Sequence, residues 1–289
     1  MACTGSGVQI PSAPQTNMNL KYIKEIFSQT KDLIGSQSGI AVISIIQVSF
    51  VVNQLGPAKY GAVVLLIAVP SLIFRASHAR NSDVNLLVLK DGKNFYFESI
   101  FFNFITGIGS FLLCLVVFTN PIIISSSLGD YFGIETLSNV LLIYLLTRII
   151  QTFSETSKSI LIFHNDLRRY SILEISSVIV RFIALVFLLL NDPSVENYLI
   201  AQSIYGITFG LFGLYLSNKY RDSSNFTIQH FKAYSKAIRS FYGKIRYDQI
   251  IGLIPQHFDV ILLAVIVDIQ TVGIYQLSLI HISEPTRPY

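Results

Sequence analysis

Between residues 33 and 267 the chain alternates apolar runs with shorter polar breaks. Each run is roughly 15 to 22 residues long, about what a helix needs to cross a hydrocarbon core. The runs are Leu33 to Val52, Gly61 to Ala76, Phe97 to Phe118, Asn139 to Phe153, Tyr170 to Leu190, Tyr198 to Leu216 and Ile250 to Val267. A bilayer core holds no water to satisfy free backbone groups, so each run is expected to be a helix and each break to lie at a membrane surface. The breaks carry turn formers: Asn53-Gln-Leu-Gly-Pro-Ala-Lys-Tyr-Gly61 separates the first two spans, and Asn191-Asp-Pro193 the fifth and sixth. Pro70 predicts a kink in the second span, and Pro255 sits in the seventh. Helix is expected to continue beyond the fourth span through Ser154 to Phe163. Ahead of the first span, Asn19 to Asp32 interleaves Lys21, Lys24 and Lys31 with Tyr22, Ile23, Ile26 and Phe27, an amphipathic approach suited to the membrane surface. The stretch from Arg75 to Asn94 reads as a polar loop.

Composition agrees. Of 289 residues, 52% are hydrophobic and 13% charged, against roughly 25% charged in soluble domains, and the mean hydropathy is +0.56. The chain reads as an all-α polytopic membrane protein. Its net charge of +4 does not point to nucleic acid, because the basic residues are sorted by loop. With the N-terminus in the cytoplasm, they fall in the tail, in the second loop (Arg75, Arg80, Lys90, Lys93), in the fourth (Lys158, Arg168, Arg169) and in the sixth (Lys219, Arg221, Lys232, Lys236, Arg239, Lys244, Arg246). The opposite side holds only Lys59, and Thr119 to Ser138 has no Lys or Arg at all. This is a strong positive-inside signal. Cys3 and Cys114 imply no disulfide framework, and with no Trp the 15 Tyr supply the interfacial anchors.

Both ends depart from the pattern. Leu277 to Arg287 reads as the in-frame translation of a transposon-end sequencing adapter. Gly7 to Pro14 reads as the translated T-arm and tail of a transfer-RNA gene, which makes Met18 the expected start. The expected organisation is a non-native leader over 1–17, a six-helix transmembrane lobe over 18–216 and a basic cytoplasmic linker over 217–249. The first helix of a second lobe follows over 250–276, and adapter-derived residues over 277–289.

Gly39 to Gly61 and Gly252 to Gly273 share one design, an apolar helix followed by a polar turn that a glycine closes. An even number of crossings separates them, so the seventh span restarts the chain in the orientation of the first. This is the plan of parallel six-helix halves. Gly35-Ser-Gln-Ser-Gly39 and the set Gly206, Gly210, Gly213 permit close helix contact. Gln37, Ser44 and Gln47 fall within a sector of about 80° on the first span. That stripe should face the bundle interior or a wet cavity, serving either helix-to-helix hydrogen bonding or a solute path.

Three segments carry a family resemblance: the first span with Leu55-Gly-Pro-Ala-Lys-Tyr-Gly61; Arg148 to Tyr170 feeding the fifth span; and His257-Phe-Asp-Val-Ile-Leu-Leu-Ala264 continuing to Val272-Gly-Ile-Tyr275. They resemble the polysaccharide (O-antigen and capsule) flippases of the multidrug/oligosaccharidyl-lipid/polysaccharide exporter superfamily, over Asp32 to Gln276. The resemblance implies about 12 to 14 helices in two lobes around a central cavity, so that this chain is the N-terminal six-helix lobe plus the start of a second, truncated at its C-terminus. It also implies flipping of an undecaprenyl-pyrophosphate-linked oligosaccharide across the bacterial cytoplasmic (inner) membrane. The implied partners are that lipid-linked substrate, the bilayer and polysaccharide polymerase machinery, with no cofactor and no nucleic acid.

Ionisable groups at membrane depth default to function or pairing, which singles out Arg148, Glu155, Glu174, Arg181 and Asp259. If spans four and five form a symmetric antiparallel hairpin, the two arginines share one depth and the two glutamates another. Within each helix the Arg and Glu are seven residues, or about 10 Å, apart, too far for a direct salt bridge. Inward-facing Arg148 and Arg181 would then form a cationic site suited to pyrophosphate, because guanidinium keeps its charge and binds phosphate through paired N–H donors. Pairing with other spans or snorkelling to an interface is the alternative. Glu155 and Glu174 lie nearer the cytoplasmic face, where hydration accounts for them, with Glu174 also a candidate for coupling or cavity lining. Asp259 matches the acidic position of the resembling family's seventh span, where ion coupling and helix-to-helix bonding are both open.

Nothing in the sequence reads as an enzyme. His78, His164, His230 and His257 have no metal-ligand spacing, and no phosphate-binding glycine loop or nucleophile motif is present. Energy would come from an ion gradient or from downstream polymer assembly. A drug or small-cation exporter of the same superfamily is the alternative, although an acidic aromatic cavity would suit it better than two arginines. A membrane polysaccharide polymerase or acyltransferase is the third reading.

Overall fold

The structure, a computed structural model, describes residues 20–78, 81–90, 95–120, 134–221, 227–239, 259–267 and 269–283. The leader over 1–17, the loop over 121–133, Pro255, His257, Lys244, Arg246 and Arg287 lie outside the described residues. The described elements are helices: α1 (Leu20–Ser77), α2 (Asn81–Lys90), α3 (Tyr96–Phe118), α4 (Ile134–Gln151), α5 (Phe153–Phe163), α6 (Leu167–Asn191) and α7 (Val195–Ser217). A 3-10 turn (Asn218–Tyr220), α8 (residues 228–239), α9 (Asp259–Ile266) and α10 (Ile269–Ser283) follow.

A straight helix as long as α1, 58 residues, would measure roughly 87 Å, about three times the hydrocarbon thickness. It is not straight. Gly56 lies at φ 74, ψ 164, a region essentially closed to residues with a Cβ, and Pro57 then starts the second half at a position where no backbone N–H is needed. Contacts of the first half climb α6 from Gln37 beside Glu174 to Val51 and Leu55 beside Leu185 and Leu189. The second half descends from Lys59, which donates to the Pro193 carbonyl at 3.3 Å, to His78 beside Asn103. The predicted hairpin is present, but its nine-residue turn contracts to a single glycine. Gly56 is the only non-helical residue inside α1, so the chain passes Pro70 without the break that a proline invites.

The predicted loop from Arg75 to Asn94 contains a helix instead. Its physical reason is an apolar edge: Val84 and Val88, one turn apart on α2, bury against Tyr234 and Ile238 of α8. The basic linker is likewise helical over 228–239. Helix does continue past the fourth span, with a one-residue interruption at Thr152 between α4 and α5. α5 then ends on Asn165 at φ 57, with Asp166 N–H bonding Leu161 O at 2.9 Å and Asn165 N–H bonding Ile162 O at 3.0 Å, the paired bonds of a left-handed helix stop. Asp166 caps the next helix, accepting from Arg169 N at 3.3 Å. Ser194 does the same for α7, accepting from Asn197 N.

Four stretches, Leu33–Lys90, Tyr96–Phe118, Leu167–Asn191 and Val195–Tyr220, are long and apolar enough to cross a membrane. They show exposed apolar stripes at helical spacing: Phe101, Phe104, Ile105, Ile108, Leu112 and Val116 on α3, and Ile179, Ile183, Phe187 and Leu190 on α6. Such faces fit lipid. α4 and α6 do not pair with one another as a simple hairpin; each packs along α7, which lies between them. The reason is the glycine edge of α7. A Cβ at Gly206 would lie 3.2 Å from Thr147 O, one at Gly213 3.1 Å from Ser157 Oγ, and one at Gly210 only 2.2 Å from Ile150 O. Among the small-residue pairs expected on α1, Gly39 touches Ile175, whereas Gly35 has nothing within 4 Å.

The two repeat units also meet. A Cβ at Gly273 would lie 2.3 Å from Pro57 O and 3.2 Å from Gly61 N, and Val272 buries against Ala62 and Leu65. The glycines that close the two units thus pack on each other.

Gly210→Ala is expected to destabilise the detergent-solubilised protein by about 1 to 3 kcal/mol, because backbone must move to admit the methyl. Gly35→Ala should be neutral or stabilising by up to about 1 kcal/mol. Thermal unfolding monitored by gel filtration checks both.

Candidate functional site

On α7, Tyr198, Gln202 and Tyr205 fall on one face by their spacing of four and three residues. Gln202 Nε2 donates to Tyr198 Oη at 3.0 Å. Arg181, from α6, places its guanidinium carbon 4.9 Å from the centre of the Tyr205 ring. Arg148, from α4, lies 5.4 Å from the Phe74 ring centre, donating to Gln151 Oε1 at 2.7 Å and to Ser71 Oγ at 3.4 Å. The Tyr205 hydroxyl is within electrostatic range of both guanidiniums and of Glu174. The two arginines are therefore gathered around the middle of α7, both half-buried. Neither has a carboxylate within salt-bridge distance among the described residues. Aromatic stacking accommodates the cation while leaving guanidinium edges able to donate.

Two complementary polar atoms are buried there without a hydrogen-bond partner among the described residues: Arg181 Nε, a donor, and Gln47 Oε1, an acceptor. Both side chains act on Tyr198. Gln47 thus joins Arg181 at the site. The rest of the polar stripe divides: Ser44 is half-buried, and Gln37, exposed, donates to Glu174. Glu174 also accepts from Tyr170, so it is held by two donors rather than by water alone. Glu155 faces Ser82 of α2, with Lys158, Asp83 and Arg75 in electrostatic range, away from the arginines. Asp259 is the first residue of α9, and its side chain lies outside what is described.

A larger polar assembly, near the basic end of the bundle, was not singled out from sequence. Asn103 Nδ2 donates to Thr156 Oγ1 at 2.9 Å, and its Oδ1 accepts from Asn81 at 2.7 Å. Ser99 joins Thr156 at 2.8 Å and accepts from Asn85 at 2.7 Å. Tyr234 of α8 donates to Asn85. His78 contacts Phe74 O through Nδ1 and Thr106 Oγ1 through Nε2, at 3.0 and 2.9 Å. A cavity no larger than a water molecule lies beside Asn85, Ser99, Thr156 and Tyr234. One signal was readable: Ser99, Asn103, Thr106 and Ser110 recur at helical spacing within an otherwise apolar span. At the same end, Tyr220 donates to Asp166 at 2.7 Å and stacks on His164 at 4.1 Å.

Apolar helices with lipid-ready outer faces and polar groups turned inward define an all-α polytopic membrane protein. Residues 51–287 match the family described as polysaccharide biosynthesis protein, and the chain belongs to that family. It is thus a flippase-type protein with a role in polysaccharide biosynthesis or export. The match takes in both arginines, Asp259 and the whole of Leu277 to Arg287, the stretch read as adapter. Comparison with curated proteins and with solved structures gives no match.

Asn103→Ala should lower stability by about 1 to 3 kcal/mol, since it removes a buried acceptor of Asn81 and one partner of Thr156. Thermal unfolding in detergent measures this, with exposed Asn53→Ala as the silent comparison.

Proposed function

We propose that this protein moves a lipid-linked oligosaccharide across the bacterial cytoplasmic membrane by alternating access, with Arg148 and Arg181 holding the pyrophosphate. The observation that carries the reading is Arg181 stacked on Tyr205 with its Nε buried and unpaired, and Arg148 within electrostatic range of the same tyrosine, neither with a carboxylate partner among the described residues. A buried donor on a permanent cation is costly unless an acceptor arrives. Phosphate oxygens supply one, and the planar guanidinium binds them in pairs. Gln47 and Gln202 offer neutral hydrogen bonds beside it, the kind that suit sugar hydroxyls. Glu174 and Asp259 are the candidates for ion coupling, and no residue is assigned a bond-making step. The concentration of Lys and Arg in alternate loops supports a cytoplasmic N-terminus, with substrate loaded from the end that carries Lys158, Arg168 and Arg169.

In a deletion strain complemented with variants, Arg148→Ala and Arg181→Ala should each lower surface polymer on the order of tenfold, with normal protein levels in the membrane. Arg181→Lys should restore only part, because ammonium keeps the charge but not the flat face on Tyr205. Wild-type polymer in both alanine variants would remove the cationic site. A deletion strain with normal polymer and new dye sensitivity would point instead to drug export. Glycosyl transfer by the purified protein would point to an enzyme.

A further inference from the structure

The lipid-facing stripe of α3 is covered at its basic end by two side chains. The Arg221 guanidinium lies 4.5 Å from the Phe97 ring centre, and Phe231 of α8 meets Phe101 edge to face at 5.2 Å. Phe101 is the first residue of the exposed stripe that continues through Phe104, Ile105, Ile108 and Leu112, and Phe97 lies one turn before it. α8 is therefore seated where the lipid-exposed surface of the bundle begins. Tyr234 and Ile238 fix its rotation, both buried against Val84 and Val88, with Tyr234 also contacting the Phe95 and Phe102 rings. At 100° per residue, Lys232, Lys236 and Arg239 gather on the side of α8 away from this anchor, and all three are exposed. Ile228 shares that side, is 67% exposed and continues the row one turn earlier. A short helix with aromatic and aliphatic groups toward an acyl boundary and a row of cations beside them has the make-up of an interfacial element.

We propose that α8, together with Arg221, is a binding surface for anionic phospholipid headgroups of the cytoplasmic leaflet. Lys232, Lys236 and Arg239 contact the phosphates, while Ile228 and Phe231 enter the acyl boundary. Basic residues at such a surface each strengthen attraction to anionic lipid by about fivefold. Because α8 is bonded through Tyr234 to Asn85, and Asn85 to Ser99, lipid held there braces the polar assembly of the bundle. This surface does not depend on what crosses the membrane.

The chain has no Trp, so Ile228→Trp supplies a single reporter on an exposed position. The full chain carrying it would be placed in nanodiscs of phosphatidylcholine with a minor fraction of phosphatidylglycerol, with bromine on the acyl chains of one lipid or the other. Brominated phosphatidylglycerol should quench the tryptophan far more strongly than the same fraction of brominated phosphatidylcholine. Adding Lys232→Gln, Lys236→Gln and Arg239→Gln should abolish that preference, a loss on the order of a hundredfold. Those side chains are exposed, so the buried contacts of Tyr234 and Ile238 are kept. Equal quenching by the two lipids would overturn the proposal, as would a preference that survives the triple substitution. A water-exposed emission quenched by neither would also overturn it and turn attention to an acidic protein partner.

Discussion

Lipid is as apolar as leucine, so helices inside a bilayer are not driven together by the hydrophobic effect; they hold by close contact and by hydrogen bonds. In this protein that contact is the seating of the α7 backbone against the carbonyls of α4 and the start of α5, through Gly206, Gly210 and Gly213. Much of the arrangement depends on it. Gly206 lies against Thr147, so its neighbour Tyr205 comes level with Arg148, while the other flank of α7 receives α6 and Arg181. The two cations approach one tyrosine because a third helix, small on one edge, fits between their own.

The two ends of the bundle are built differently. Near the turn at Gly56 the packing is mostly apolar: Val51, Leu55, Tyr60 and Val63 with Leu185, Leu189 and Ala201. The glycine-to-glycine contact of Gly61 and Gly273 adds a seam of backbone against backbone. At the basic end, Asn, Ser and Thr side chains from α2, α3 and α5, with His78 just past the end of α1, satisfy one another in a connected network, closed from outside by Tyr234 of α8. Buried polar groups so paired specify one arrangement, since any shift strands several at once.

Legibility in the sequence followed the kind of pattern involved. Spans three, five and six were readable to within three residues at each end, because apolar runs bounded by polar residues such as Thr119, Asp166, Asp192 and Ser194 leave few choices. α2 and α8 were not, since each has an amphipathic edge of only two residues, Val84 with Val88 and Tyr234 with Ile238, and each edge has meaning only against the other. Arg148 and Arg181 stood out as charges at depth. Phe74, Tyr198, Gln202 and Tyr205 did not, because aromatic and amide residues are unremarkable on membrane helices until their partners are known.

The sequence by itself determined that this chain spans a membrane, which end of each helix is basic, where the chain must reverse, and which charges interrupt the apolar runs. These are properties of single segments, set by the cost of exposing backbone and charge to hydrocarbon. Only the tertiary structure decided that α7 separates α4 from α6, that Gln47 belongs with Arg181 while Gln37 belongs with Glu174, and that the polar stripe of α3 is the hub of a network. Those outcomes rest on which helix edges fit together, and that fit depends on side-chain volumes contributed by residues far apart in the chain.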